Sequence, residues 1–120
     1  MTDRRHFQRL LLAGLCSLLP MTCALAQSFP SKPVTLMVPY PAGGLSDVLA
    51  RMVNVPLAKA LGQPVIVENL GGVSGAIAAQ KVLNAPADGH FLFQGSPNEL
   101  ILSPLANAAV KFKSEDFRLV

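Results

Sequence analysis

Short apolar runs alternate with stretches of helical periodicity through most of this chain. Val34 to Val38 is a β-branched and apolar run of the kind that fills a strand buried on both faces. From Ser46 to Leu61 the residues Val48, Leu49, Met52, Val53, Leu57, Ala60 and Leu61 recur at helical spacing, which predicts an amphipathic helix. Ser46 or Gly44 is positioned to cap it, Asp47 suits the positive end of its dipole, and Gly62 closes it. Pro56 falls inside this pattern and predicts a kink or break near Met52 to Val55. Val65-Ile66-Val67 then reads as a second buried strand, ended by Glu68-Asn69.

A second glycine loop, Gly71 to Gly75, opens onto an alanine-rich helix over Ala76 to Asn84. Pro86-Ala87-Asp88-Gly89 carries turn chemistry, with proline preset for the first corner and glycine free to take positive φ. Phe91-Leu92-Phe93 is the core of a third strand, followed by Gly95-Ser96. Asn98 to Leu102 predicts a short helix stopped by Pro104, and Phe117 to Val120 the start of a fourth strand.

Strand, helix, strand, helix, strand implies an α/β fold: a parallel sheet with helices against both faces, a three-layer αβα arrangement. Right-handed crossovers place three loops at one edge of that sheet, Pro39 to Asp47, Asn69 to Gly75 and Gly95 to Asn98. Ligands of open α/β sheets bind at that carboxyl edge. Gly43-Gly44 allows a ligand close to the backbone, and the first helical amides after it have no partner within the helix. Such an end attracts a carboxylate or phosphate. A Gly-Gly turn also occurs with nothing bound, so the convergence of all three loops is what favours an anion site.

Composition changes the picture mainly at the N-terminus. The formal charge of +3 over 120 residues owes most to Arg4, Arg5 and Arg9, and from Ser28 onward seven basic residues face six acidic ones. No clustered basic face of the kind that nucleic acid requires is present. Arg4 to Arg9 is a charged head, Leu10 to Leu19 an apolar core, and Ala24-Leu25-Ala26 an A-x-A cleavage signal. This predicts an export leader over residues 1–26, cleaved after Ala26, and a periplasmic product. The paired arginines and Phe7 fit a twin-arginine signal as well as a general secretory one. The apolar run is shorter than the ~20 residues that span a bilayer. Both cysteines, Cys16 and Cys23, lie in this leader, and Pro20-Met21-Thr22 departs from the pattern before a lipidated cysteine.

Catalytic chemistry is scarce. His90 is the one histidine after the leader, and it follows a turn, where a solvated or partly packed imidazole is the ordinary outcome rather than a catalytic base. Ser74 and Ser96 lack a G-x-S-x-G context, so an exported enzyme would need a histidine and acid from elsewhere. Asp47, Glu68 and Asp88 have no calcium-loop spacing. A dinucleotide fingerprint and a phosphate-loop lysine are both missing. No metal, cofactor or nucleic acid is expected.

The ordered motifs are similar to one family. Pro39-Tyr40-Pro41-Ala42-Gly43-Gly44, Ser46-Asp47 and Leu49-Ala50-Arg51 resemble the P-[FY]-P-A-G-G-x-x-D-x-x-A-R stretch of the tripartite tricarboxylate transporter substrate receptors, the Bug-type extracytoplasmic solute receptors. Leu61-Gly62-Gln63-Pro64-Val65-Ile66-Val67-Glu68-Asn69, Ala85-Pro86-Ala87-Asp88-Gly89 and Asp116-Phe117 extend the likeness. The resemblance implies a two-lobed, type II periplasmic binding protein, monomeric at full length. It would capture a small carboxylate and hand it to membrane permease subunits; partnership with a two-component sensor is the alternative role. The ligand residues it implies are Tyr40, Ala42, Gly43, Gly44, Ser46 and Asp47 in the first loop, Ser74 and Gly75 in the second, and Ser96 in the third. Leu70-Gly71-Gly72 stands where the family commonly has R-P-G, Leu45 where a third glycine is frequent, and Ala76 and Ser103 where asparagine is. The length is that of an incomplete first lobe, so tight binding by this stretch alone is not expected.

Overall fold

The computed structural model describes residues 28–120; the leader, its cleavage site and both cysteines lie outside them. Three parallel strands, β1 (Val34–Val38), β2 (Val65–Asn69) and β3 (Phe91–Phe93), form one sheet in the order β2-β1-β3. In register, Leu36 faces Val67 and Leu92, while Met37 faces Glu68 and Phe93. Because side chains alternate across a strand, the central strand serves two cores. Val34, Leu36 and Val38 pack with Val65 against Ala50, Leu57, Ala58 and Leu61 of helix α1 (Leu45–Leu61). On the opposite face Phe93 packs with Ala76, Ala79 and Leu83 of helix α2 (Ala76–Leu83), beside Phe112 and Phe117. The three layers expected from the pattern are therefore present.

Three local expectations are corrected. Helix α1 runs unbroken through Pro56. Proline removes one ladder bond, yet Pro56 and Met52 both lie on the exposed side, where the orphaned carbonyl is left to water while the buried face holds the axis. Pro104 does not stop a helix. It sits in the first turn of the short helix α3 (Ser103–Ala106), where a missing amide costs nothing, and Asn98–Leu102 before it is a wide π-type turn. Phe117 to Val120 makes no strand. Phe117 instead folds back, stacking on Phe93 and meeting Phe112 edge-on, each at 5.7 Å between ring centres.

The amino edge of the sheet is pinned separately. Lys32 Nζ meets Asp88 Oδ2 at 2.8 Å, the Ser31 amide donates to His90 Nε2 at 3.2 Å, and Phe29 meets the His90 ring edge-on at 5.0 Å. His90 thus anchors the lead-in to the turn, at the end of the sheet away from the glycine loops. Among the described residues no helix is long and apolar enough to cross a membrane.

A substitution at Pro56 tests the correction. Pro56→Ala restores the ladder bond without disturbing a packed face, so we expect a gain of roughly 1–3 kcal/mol in urea-unfolding free energy. A loss would mean that the ring itself packs usefully or that the helix is bent there in solution.

Candidate functional site

The carboxyl ends of all three strands open into the glycine loops, and side chains tie those loops together. The Leu70 amide donates to the Val38 carbonyl at 2.9 Å, and Asn69 Nδ2 donates to the Tyr40 carbonyl at 3.2 Å. Gln94, one residue beyond β3, reaches the Ser46 carbonyl through Nε2 at 3.2 Å. Ser103 Oγ donates to the Ser74 carbonyl at 3.3 Å. The Gly43-Gly44 corner and the Ser74-Gly75 corner therefore share one rim.

At the first corner Asp47 points inward. Only 3% exposed, its Oδ2 accepts from the Gly43 amide at 2.8 Å and from Arg51 Nε at 3.0 Å. The Arg51 hydrogen bond, reinforced by the Gly43 amide and the Asn69 side chain, holds the Asp47 carboxyl below the usual aspartate range. Asp47 thus shapes the corner, and the Gly43 amide is already taken. The amides of Leu45, Ser46 and Asp47 have no acceptor among the described residues. They stand at the start of α1, whose N-cap, Gly44, supplies no side chain to them. Free donors at a helix start make an anion cradle.

The second corner is built against steric preference. Gly72, Val73, Ser74 and Gly75 all have positive φ, at 122°, 47°, 51° and 83°. For Val73, whose branched Cβ crowds the backbone, this is a strained conformation. Gly75 is required by close approach: a Cβ there would stand 2.3 Å from Glu99 Cγ and 3.0 Å from Pro39 Cβ. Ser74 is exposed above this packing.

The third corner holds a residue absent from the sequence reading. Glu99 is fully buried. Its Oε2 accepts from the Ser96 amide at 2.6 Å, and its Oε1 takes the Tyr40 hydroxyl and Asn98 Nδ2, the latter at 3.3 Å. Burial opposes its ionisation, but hydrogen bonds from Ser96 and Tyr40 outweigh that and hold the carboxyl below the usual range. The same contact pushes the Tyr40 hydroxyl up. Ser96 Oγ accepts from the Asn98 amide at 3.2 Å, so this serine braces the turn.

Of the nine candidates, Gly43, Gly44, Ser46, Asp47, Ser74, Gly75, Ser96 and Tyr40 all enter these linked corners, with Ala42 exposed on the loop between them. Glu99, Asn98, Gln94, Asn69 and Arg51 were not singled out as ligand residues, and only the Asp47-to-Arg51 spacing of four announced its pairing. Two grooves of about 620 and 480 Å³ lie on the flanks of α2, lined by residues such as Ile77, Phe112 and Phe117, and none of the nine candidates lines either. No metal-binding cluster occurs among the described residues.

The α/β unit is that of the periplasmic binding proteins. Over the matched parts it superposes on Rpa4515 of R. palustris with adipate, at TM-score 0.55 and 42% identity over 57% of this chain and 23% of that one. MatC of Rhodopseudomonas palustris with bound malate gives 0.52 and 45%, covering 54% and 22%. The tripartite tricarboxylate transporter family receptor (TctC) profile matches residues 49–119, and the chain belongs to that family. A UPF0065 protein of Bordetella bronchiseptica is 41% identical over 106 residues, 88% of this chain and 32% of the relative. The chain thus spans about a third of that relative's length.

The inward carboxylates set the acid response. A depressed Asp47 stabilises the fold above its unfolded-state value, and that stability is lost as pH falls through the lower folded value. We expect urea midpoints to stay level from neutrality to about pH 5 and to decline below about pH 4. Asp47→Asn should lower the neutral-pH midpoint and flatten the decline without abolishing it, because Glu99 and Asp88 are shifted in the same direction. An unchanged decline would show that Asp47 is not held by Arg51 and Gly43 in solution.

Proposed function

We propose that this chain supplies the carboxylate-capturing rim of a periplasmic solute receptor serving a tripartite tricarboxylate-type transporter, and that it is not an enzyme. The observation that carries the reading is the set of free amides at Leu45, Ser46 and Asp47 beside the exposed Ser74 turn. Several aligned main-chain donors favour a charged carboxylate without a salt bridge. Family membership and the dicarboxylates named for two similar structures support the same ligand class. In this reading residues 1–26 are the export leader and residues 27–120 form part of the first of two lobes, whose partner lobe closes over the ligand. The loaded receptor passes its carboxylate to membrane permease subunits. Ala42, Gly43 and Gly44 keep the first loop's backbone accessible, Gly75 lets the second turn pack closely on Glu99 and Pro39, Ser74 offers a hydroxyl, and Asp47 and Ser96 brace the corners.

With one wall of the cleft, affinity should be weak, with a dissociation constant of about 1 mM or more. We predict that small dicarboxylates shift the NMR amide signals of Leu45, Ser46, Asp47 and Ser74 saturably, and that the uncharged diamide of the same skeleton does not. Shifts confined to the grooves beside α2, or none at any concentration, would contradict the assignment.

A further inference from the structure

Tyr40 and Glu99 share one proton at the rim, and its location decides what Tyr40 offers a ligand. Tyr40 extends from the end of β1 and bridges the first loop to the third, its hydroxyl against Glu99 Oε1 and within 3.4 Å of Asn98 Nδ2. Glu99 is fully buried, and its other oxygen is occupied by the Ser96 amide. Asn98 Nδ2 donates to the Tyr40 hydroxyl oxygen and to Glu99 Oε1, and the Ser96 amide donates to Glu99 Oε2, so the only proton available between Tyr40 and Glu99 is one hydroxyl hydrogen. Among the described residues these two are the ionisable members of the network.

We propose that Glu99 is a positioning residue that commits the Tyr40 proton inward, so that Tyr40 meets the ligand as a hydrogen-bond acceptor and the rim favours a carboxylate bearing a hydroxyl over its unsubstituted counterpart. The inference rests on the carboxylate-receptor reading and adds a selectivity to it. A phenol with a free proton would donate to a carboxylate oxygen. A phenol whose proton is held by a buried carboxylate offers only acceptor capacity, here the lone pair that Asn98 does not engage, which repels a carboxylate and accepts a ligand O–H. The directions of ionisation agree: the glutamate is stabilised as the anion and the phenol as the neutral form.

The chain contains one tyrosine and no tryptophan, so tyrosinate absorbance reports Tyr40 alone. Titrated with circular dichroism alongside to score only folded chain, the wild type should ionise later than free tyrosine, and Glu99→Gln should return toward the ordinary value. A wild-type Tyr40 that ionises at the ordinary value overturns the inward proton. NMR titrations with malate and succinate, equal in charge and carbon number, then read the selectivity. We expect about a tenfold preference for malate, reduced toward parity in Tyr40→Phe and in Glu99→Gln. Equal affinities in the wild type, or a preference that survives both substitutions, overturn the selectivity. If neither acid binds while Tyr40 still ionises late, the receptor reading falls and takes the selectivity with it, whereas the proton assignment stands on its own titration.

Discussion

Two buried carboxylates hold the rim together, and neither is free to meet a ligand. Asp47 fastens the start of α1 to the Gly43 amide and Arg51, and Glu99 fastens the third loop to Tyr40 and to the Ser96 amide. Buried charges are tolerated only when hydrogen-bonded, and here the partners are loop groups, Tyr40, Gly43 and Ser96, together with Arg51 of α1. The outcome is a linked set of corners in which the amides of Leu45 to Asp47 are left without acceptors, alongside two buried side-chain oxygens, Asp47 Oδ1 and Gln94 Oε1, that have no partner.

That division of labour is what would let an acidic loop hold an anion, as proposed. Asp47 and Glu99 turn their charge into the protein, where arginine, amides and a phenol bond it, while the amides of Leu45, Ser46 and Asp47 at the start of α1 have no acceptor among the described residues. The strain at Val73 and Ser74 belongs to the same scheme, because four successive residues of positive φ lift Ser74 over the buried Gly75. Gly75 can sit there only because nothing projects from its Cα into Glu99 and Pro39. Packing, strain and the proposed carboxylate cradle meet in one layer at the carboxyl edge.

Much of this was legible in the chain. The apolar runs and helical spacing located β1, β2, β3, α1 and α2, and ordered motifs identified the family; the buried face of α1 was read less well, since Val48, Leu49, Met52, Val53 and Ala60 are exposed while Ala50, Leu57, Ala58 and Leu61 pack on the sheet. Glu99 was not legible. A charge in a short helical stretch is ordinarily solvated, and its burial arises only when Tyr40, fifty-nine positions earlier, folds onto it. The same cause lies behind the other misreadings. Pro56 is carried by a helix whose packing outweighs one lost bond, Pro104 becomes harmless by falling at a helix start, and Phe117 finds Phe93 and Phe112 in place of a strand partner. Local pattern reports local preference, and these sites are decided by distant contacts.

The central claim is that unpaired backbone donors at this edge of the sheet hold a carboxylate. A crystal structure grown at saturating dicarboxylate tests it most directly. The account predicts a carboxylate oxygen within about 3 Å of the amide nitrogens of Leu45 to Asp47, directly or through one water, with Asp47 and Glu99 still turned inward. A ligand seated in the groove between α2 and Phe112, or an Asp47 swung out to meet it, would contradict it.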